Sequence, residues 1–366
     1  MIKKMMAILL SVVMVLQLPA CSTAKKTRYD AQFLKLFDTV TEIVAYMDTK
    51  EEFTNFSNLV YNNLKEYHEL YDIYNNYPGI NNIKTINDNA GKKAVKVDKK
   101  IISMLVLAKS ICKESGGAKN IALGSVTSIW LKYREAGIAD PESASLPPMA
   151  DLKAADQHTD IDKVIIDEKA STVYLSDPKM SLDVGSIAKG YATEQVAQIA
   201  EAKGYTSALL SVGGNIRAIG DKGIDGELWN VGIQNPNTDS DKKSLMTVRL
   251  KEQSLVTSGI YERYYTVDGK NYHHIIDPST LMPSTHFKAV SIITKDSGMA
   301  DALSTAVFNM TYEQGMEFIR KIPGTEVMWV MPNDEIRYSD HFRDYVVKGS
   351  EISLSSSGSS AVSSEE

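Results

Sequence analysis

From Ile161 onward the chain turns from helical to extended patterning, and this most restricts the folds open to it. Short apolar-rich segments recur at Lys163–Asp167, Thr172–Leu175, Ala208–Val212, Leu228–Ile233, Ser244–Leu250 and Ala289–Thr294. They have strand length, and helical patterns break them at Ser186–Lys203, Met299–Phe308 and Tyr312–Lys321. Ahead of them, Phe37–Asp48 reads as a strand, Glu51–Tyr74 as an amphipathic helix and Lys99–Glu114 as a second helix. A third helix begins at Gly124–Tyr133, while Tyr77–Gly91 and Gly137–Pro148 read as loops. Strands in runs beside segregated helices predict an α+β fold with mixed, largely antiparallel sheets, not a doubly wound one.

The ends follow a different logic. Lys3 and Lys4 precede an apolar run from Met5 to Leu16, and Leu18-Pro-Ala-Cys21 follows. That order describes an export signal over residues 1–20, and a cysteine after a small residue describes a lipobox with Cys21 lipidated. An ordinary secretory signal with a chance cysteine is the alternative. The expected location is the extracytoplasmic face of a cell membrane, held by a lipid anchor. No later segment reaches the ~18 apolar residues that a membrane span requires. Residues 21–30 are expected to be a polar tether, 31–347 the folded domain, and the Ser-rich, acidic 348–366 a disordered tail.

The chain has 366 residues and two cysteines, so after lipidation of Cys21 only Cys112 remains. An intramolecular disulfide and a cysteine-based metal site are both excluded. Cys112 falls in an apolar helical pattern and reads as core. A net charge of −6 argues against nucleic acid. An anionic ligand must therefore be met locally, by helix ends, a metal ion or a few cationic side chains.

Four segments carry candidate chemistry. Asp183-Val-Gly-Ser-Ile-Ala-Lys-Gly190 stands where an extended stretch gives way to a helix. Its glycines admit close backbone approach, and a helix N-terminus suits phosphate. Lys189 in the first turn opposes the macrodipole, so it either offsets an anion or reaches solvent. In Asp301-Ala-Leu-Ser-Thr305, the acid and the hydroxyl lie four apart on one helix face. They could serve as hard oxygen ligands, and Asp301 could equally be a dipole partner or N-terminal cap. His273-His274-Ile-Ile-Asp277-Pro278 puts two histidines on a strand end, where adjacent residues face opposite ways and only one can enter a site. Ala208 to Asn215 is a buried strand ending in Gly213-Gly214, which reads as a bulge or as backbone close to a ligand.

Together with Asn120-Ile-Ala-Leu-Gly-Ser-Val-Thr-Ser-Ile-Trp130, these segments resemble the ApbE family of FAD:protein FMN transferases. The matching stretches are Asp183–Tyr191, Leu210–Gly220, Trp229–Pro236, Thr257–Arg263, His274–Pro278 and Asp301–Phe308. The resemblance implies a T-fold-like architecture and a Mg²⁺-dependent enzyme. Such an enzyme moves the FMN half of FAD onto a threonine or serine hydroxyl of an exported flavoprotein and releases AMP. By position, Asp301 and Thr305 correspond to metal-ligating side chains, and Ser186 to a ligand through its carbonyl. Asp183, Lys189, Ala118, Lys119, Asn120 and Ile275 correspond to flavin-nucleotide contacts, and His274 to the proton-transfer histidine. Three departures stand out. Leu281 replaces the usual glycine of Asp-Pro-x-Thr-Gly, Asn75–Asn87 replaces the usual stretch after Tyr74, and Asn120 replaces a frequent acid. Hydrolysis of FAD to FMN and AMP needs the same groups. A non-catalytic flavin carrier would be expected to lack Asp301, Thr305 or His274, and all three are present.

Overall fold

The computed structural model describes residues 26–223 and 226–352. The signal segment, Cys21 and most of the Ser-rich tail therefore lie outside the described residues. The strands are β1 (Thr27–Leu34), β2 (Val40–Met47), β3 (Val95–Lys96), β4 (Val164–Asp167), β5 (Thr172–Leu175), β6 (Ser207–Val212), β7 (Asn215–Gly220) and β8 (Trp229–Gln234). They continue with β9 (Ser244–Leu250), β10 (Ser254–Gly259), β11 (Tyr264–Val267), β12 (Lys270–His273), β13 (Ala289–Thr294), β14 (Glu326–Val330) and β15 (Ile336–Tyr338). The helices are α1 (Lys50–Tyr71), α2 (Ile83–Asp88), α3 (Lys99–Glu114), α4 (Gly124–Ala139), α5 (Met149–Asp156), α6 (Ala188–Ala202), α7 (Ser297–Phe308) and α8 (Tyr312–Ile319).

Eight strands form one sheet in the order β1-β2-β6-β7-β10-β13-β14-β15, and every pairing in it is antiparallel. This is the α+β, largely antiparallel architecture the pattern predicts. Side chains alternate across each strand, so β2 turns Ile43, Ala45 and Met47 to one face and Val44 and Tyr46 to the other. Helices α1, α6 and α7 cover the first face. The β8–β9 ribbon and Phe342 cover the second. Strand β13 is buried along its whole length because both faces are covered. A third, smaller core joins α4 and α5 to the β11–β12 hairpin through Trp130, Leu152, Tyr265 and Leu281.

Several expectations are corrected. The tether does not reach residue 30, because Thr27–Leu34 pairs with β2 from Thr27↔Met47 to Leu34↔Val40. The strand expected from Phe37 begins at Val40, since Lys35, Phe37 and Asp38 adopt positive φ in a short 3₁₀ turn. The loop after Tyr77 contains α2, stabilised by a reciprocal Asn82–Thr85 capping box. Gly213 and Gly214 form the tight β6–β7 hairpin turn, both with positive φ, and not a bulge. The tail boundary at 348 is too early: Val347 and Ile352 donate backbone hydrogen bonds to Thr247 and Leu245 of β9. Cys112 is buried and unpaired with any other cysteine, as its pattern suggests.

Candidate active site

Helices α6 and α7 meet at a glycine. A Cβ on Gly190 would lie 2.3 Å from the Ser297 carbonyl oxygen and 2.4 Å from Asp301 Cβ, so only a hydrogen allows this approach. The Gly190 N–H donates to Asp301 Oδ2 at 2.8 Å, and Asn215 Nδ2 donates to the same oxygen at 3.0 Å. Asp301 is therefore not the N-terminal cap of its helix; Asp296 fills that role by accepting from Met299 N–H.

That arrangement leaves oxygens uncommitted. Gly190 is the third residue of α6, so its N–H has no carbonyl acceptor within the helix, and Asp301 takes it. Among the described residues, Asp301 Oδ1, the half-buried Thr305 hydroxyl and the Ser186 carbonyl accept no hydrogen bond. One carboxylate, one hydroxyl and one carbonyl form a hard donor set that suits Mg²⁺ with room for water and phosphate. Among the described residues no three His, Cys, Asp or Glu side chains gather into a metal cluster.

Asp183 is held on both oxygens, by Thr127 Oγ1 at 2.8 Å and by the Gly185 N–H at 3.0 Å. It thereby ties the glycine turn to the first turns of α4. Lys189 is half-buried and reaches back to the Gly185 carbonyl at 3.4 Å.

Lys119 is 1% exposed, and its Nζ has no hydrogen-bond partner among the described residues. Burial lowers its pKa to about 8, against the opposing pull of Asp301, Cys112 and Asp183. A buried amine without a partner, near two carboxylates that are themselves hydrogen-bonded, is the kind of group a bound anion would satisfy.

The neighbours of Lys119 have other uses. Asn120 is committed on both sides of its amide, donating to the Thr159 carbonyl at 2.8 Å and accepting from Ala122 N–H at 2.9 Å. The Ala118 carbonyl accepts from Asn309 Nδ2 at 3.0 Å. Asn309 also donates to the Ile276 carbonyl at 3.1 Å, joining the Ala118 loop to the histidine loop from the end of α7. Sequence reading missed Asn309; its one signal was an asparagine just past a helix.

The two histidines separate cleanly. His273 is buried, bonded through Nε2 to the Ser284 carbonyl at 2.7 Å while Nδ1 accepts from Ile275 N–H at 3.2 Å. Its protons are therefore spoken for. His274, just past β12, keeps an open surface. Protein packed around its ring, then Arg263, His273, Lys189 and Arg134, hold its pKa below the ordinary value. Because the ring is open to water, which restores hydration and screens those charges, only the downward direction of the shift carries weight. Ile275 is buried beside it.

Two expected departures have physical outcomes. Leu281 takes φ +61°, the conformation glycine would adopt, and its carbonyl accepts from Trp130 Nε1 at 2.9 Å. The turn is thus retained without the glycine. After Tyr74, Asp72 organises the substituted loop, accepting from the backbone N–H of Tyr74 and Asn75, from Asn75 Nδ2 and from Tyr77 Oη. Partial burial pushes Asp72 upward, but those hydrogen bonds prevail and lower its pKa. Tyr74 stays 56% exposed, within reach of the charges of Asp183, Arg134 and Arg263.

Comparison with known proteins places this architecture. An FAD:protein FMN transferase of Treponema pallidum is 36% identical over 278 residues, covering 72% of this chain and 74% of that protein. One from Klebsiella pneumoniae is 31% identical, covering 69% of this chain and 76% of that one. A crystal structure of the ApbE protein from Thermotoga maritima superposes with a TM-score of 0.77 at 27% identity, covering 88% of this chain and all of that one. The flavin transferase ApbE from Vibrio cholerae, at 21% identity and a TM-score of 0.73, shares the fold. The ApbE family model matches residues 37–329, from the turn before β2 to the penultimate residue of β14, and the chain belongs to the ApbE family.

Proposed function

We propose that this chain transfers the FMN moiety of FAD to a threonine or serine hydroxyl of an exported acceptor protein and releases AMP. The observation that carries the reading is the uncommitted oxygen set of Asp301, Thr305 and Ser186, within a family whose named relatives are FAD:protein FMN transferases. In the reaction the acceptor oxygen bonds to the FMN-side phosphorus, and the bridging P–O bond breaks toward AMP. The hydroxyl proton passes to His274, whose lowered pKa leaves the ring neutral at pH 7 with a nitrogen lone pair to receive it.

Asp301 Oδ1, Thr305 Oγ1 and the Ser186 carbonyl would hold Mg²⁺. When bound, that ion supplies neutralisation of charge on the phosphoryl oxygens. Gly190 and Asn215 fix the Asp301 carboxylate so that its free oxygen keeps one direction. Asp183 and Lys189, with the Ala118–Asn120 loop and Ile275, would border the nucleotide. The committed amide of Asn120 leaves that loop its backbone and Lys119 for the purpose.

The expected setting is extracytoplasmic, with Cys21 lipidated. The lead experiment incubates the protein with FAD, Mg²⁺ and an exported flavoprotein, then weighs the acceptor by mass spectrometry. An FMN-sized adduct that disappears in Asp301→Ala supports transfer. Free FMN and AMP without an adduct would mean that water takes the hydroxyl's place, and bound but unturned FAD would defeat both enzymatic readings.

A further inference from the structure

Two arginines stand at this site with no protein partner. Arg28, Arg217, Arg320 and Arg337 each pair with a carboxylate. Among the described residues, the side chains of Arg134 and Arg263 make neither an ion pair nor a hydrogen bond. Their placement is fixed from two directions. On α4, Thr127, Trp130, Arg134 and Gly137 recur at helical spacing along one face. Thr127 bonds Asp183, Trp130 bonds the Leu281 carbonyl, and Gly137 packs on the Tyr265 ring. That face is therefore turned toward the glycine turn and the hairpin, and it carries the half-buried Arg134 with it.

Arg263 stands one residue before β11, and His274 one residue after β12. The His274 N–H donates to the Arg263 carbonyl at 3.0 Å, continuing the Tyr264↔His273 pairing. Residues directly opposite in such a ladder send their side chains to the same side. Arg263 is thus beside His274.

The two charges are also within electrostatic range of each other: partial burial, then Arg263, lowers the pKa of Arg134. Glu135 and Asp183 act on Arg134 from a distance, but neither forms an ion pair with it, and a fork of paired N–H donors is matched to phosphate oxygens. The exposed ring of Tyr74 lies in the same electrostatic neighbourhood, giving the opening an aromatic face beside its cations. That combination suits a nucleotide better than an acidic peptide.

We propose that Arg134 and Arg263 form an anion clamp that grips the phosphate oxygens of the flavin nucleotide beside His274, apart from the oxygen set around Asp301. The inference rests on the flavin-transfer reading, and its test separates the two. Wild type, Arg134→Gln and Arg263→Gln are titrated with FAD, FMN and riboflavin by flavin fluorescence, and with ADP by calorimetry. Each variant should weaken FAD binding about ten-fold or more while riboflavin, which has no phosphate, changes less than about two-fold. Arg→Lys variants should recover part of the loss, because they keep the charge but lose the fork.

Equal losses for FAD and riboflavin would overturn the clamp, as would FAD affinity that stays the same in both variants. Unchanged FAD affinity together with weakened acceptor capture would assign the pair to the acceptor instead. A wild-type chain that binds ADP through the two arginines but ignores flavins would keep the clamp and overturn the flavin reading. Binding of neither ligand would overturn both.

Discussion

Lys119→Met removes a fully buried charge that, among the described residues, has no hydrogen-bond partner. Met is close to Lys in length and needs no hydrogen bond, so the core around Cys112 and Asp301 should close over it. The ordinary lysine value is 10.5 and burial lowers Lys119 to about 8. At 1.36 kcal/mol per pH unit, that gap costs the folded state about 3 kcal/mol whenever the amine must be charged. For a chain of this size, unfolding entropy converts that into a rise in Tm of about 4 °C for the apo variant at neutral pH.

The sign of the pH dependence is definite. Between about pH 8 and 10.5 the unfolded chain holds a proton on this lysine that the folded chain has released. Wild-type stability therefore rises through that window relative to the variant, whose curve lacks this component. Buried tyrosines act oppositely above their ordinary value of 10, since burial raises Tyr67, Tyr71 and Tyr261. They are common to both proteins and cancel in the difference. The assay is urea unfolding of apo wild type and variant from pH 6.5 to 10.5, followed by FAD titration at pH 7. Greater apo stability with FAD affinity weakened about ten-fold is expected, because the amine's compensation is a bound anion. A variant less stable than wild type at neutral pH, with a parallel pH curve, would refute the reasoning. It would mean that Lys119 is already satisfied in the folded protein.

Gly190→Ala should cost about 1–3 kcal/mol, because its methyl group meets backbone and Asp301 Cβ instead of a flexible side-chain end. Chemical unfolding reads that cost, and Mg²⁺ affinity should fall with it as Asp301 is displaced. The acid limb of kcat/KM should lie below the ordinary histidine value of 6.5, since a depressed pKa keeps His274 neutral at lower pH; Arg263→Gln should move that limb upward. Glu194→Ala should destabilise by about 3–5 kcal/mol in thermal and urea unfolding, because it strips a buried partner from Arg217 and an acceptor from the Ser297 N–H. Labelling with radioactive palmitate should mark the exported protein and disappear in Cys21→Ser; label retained in that variant would remove the lipid-anchor proposal.

What the sequence disclosed depended on whether the determining interaction was local. Helix α3 is framed by Asp98, whose side chain caps the Lys100 N–H, and by an apolar stripe, and its limits were readable to the residue. Strand β1 was not readable, because an edge strand rich in charge and half open to water looks like a tether until its partner β2 is known. Strand β7 carries Arg217, which breaks the apolar pattern; its charge is buried only because Glu194 and Glu201 reach it from α6. Helix α2 is six residues long and begins with an Asn–Thr box in place of the Ser/Thr–Glu signature, so its capping sequence gave no cue.

The site divides along the same line. Asp183, Lys189, Asp301, Thr305 and His274 are chemically conspicuous and lie in short segments with recognisable neighbours. Arg134 sits mid-helix among polar residues, where a lone arginine has every appearance of a solvated face. Only the folding of α4 against the β11–β12 hairpin brings it to Arg263. Leu281 shows the converse, a conspicuous sequence change that the fold absorbs. Holding a non-glycine residue at φ +61° costs roughly 1–2 kcal/mol. Its side chain is 5% exposed in the core shared with Trp130 and Tyr265, and losing a buried leucine costs about 2–5 kcal/mol. Burial outweighs the backbone strain, so Leu281→Gly should lower stability even though it restores the residue the backbone prefers. The glycine of the family pattern is therefore one solution to that turn, and in this chain a packed leucine is another.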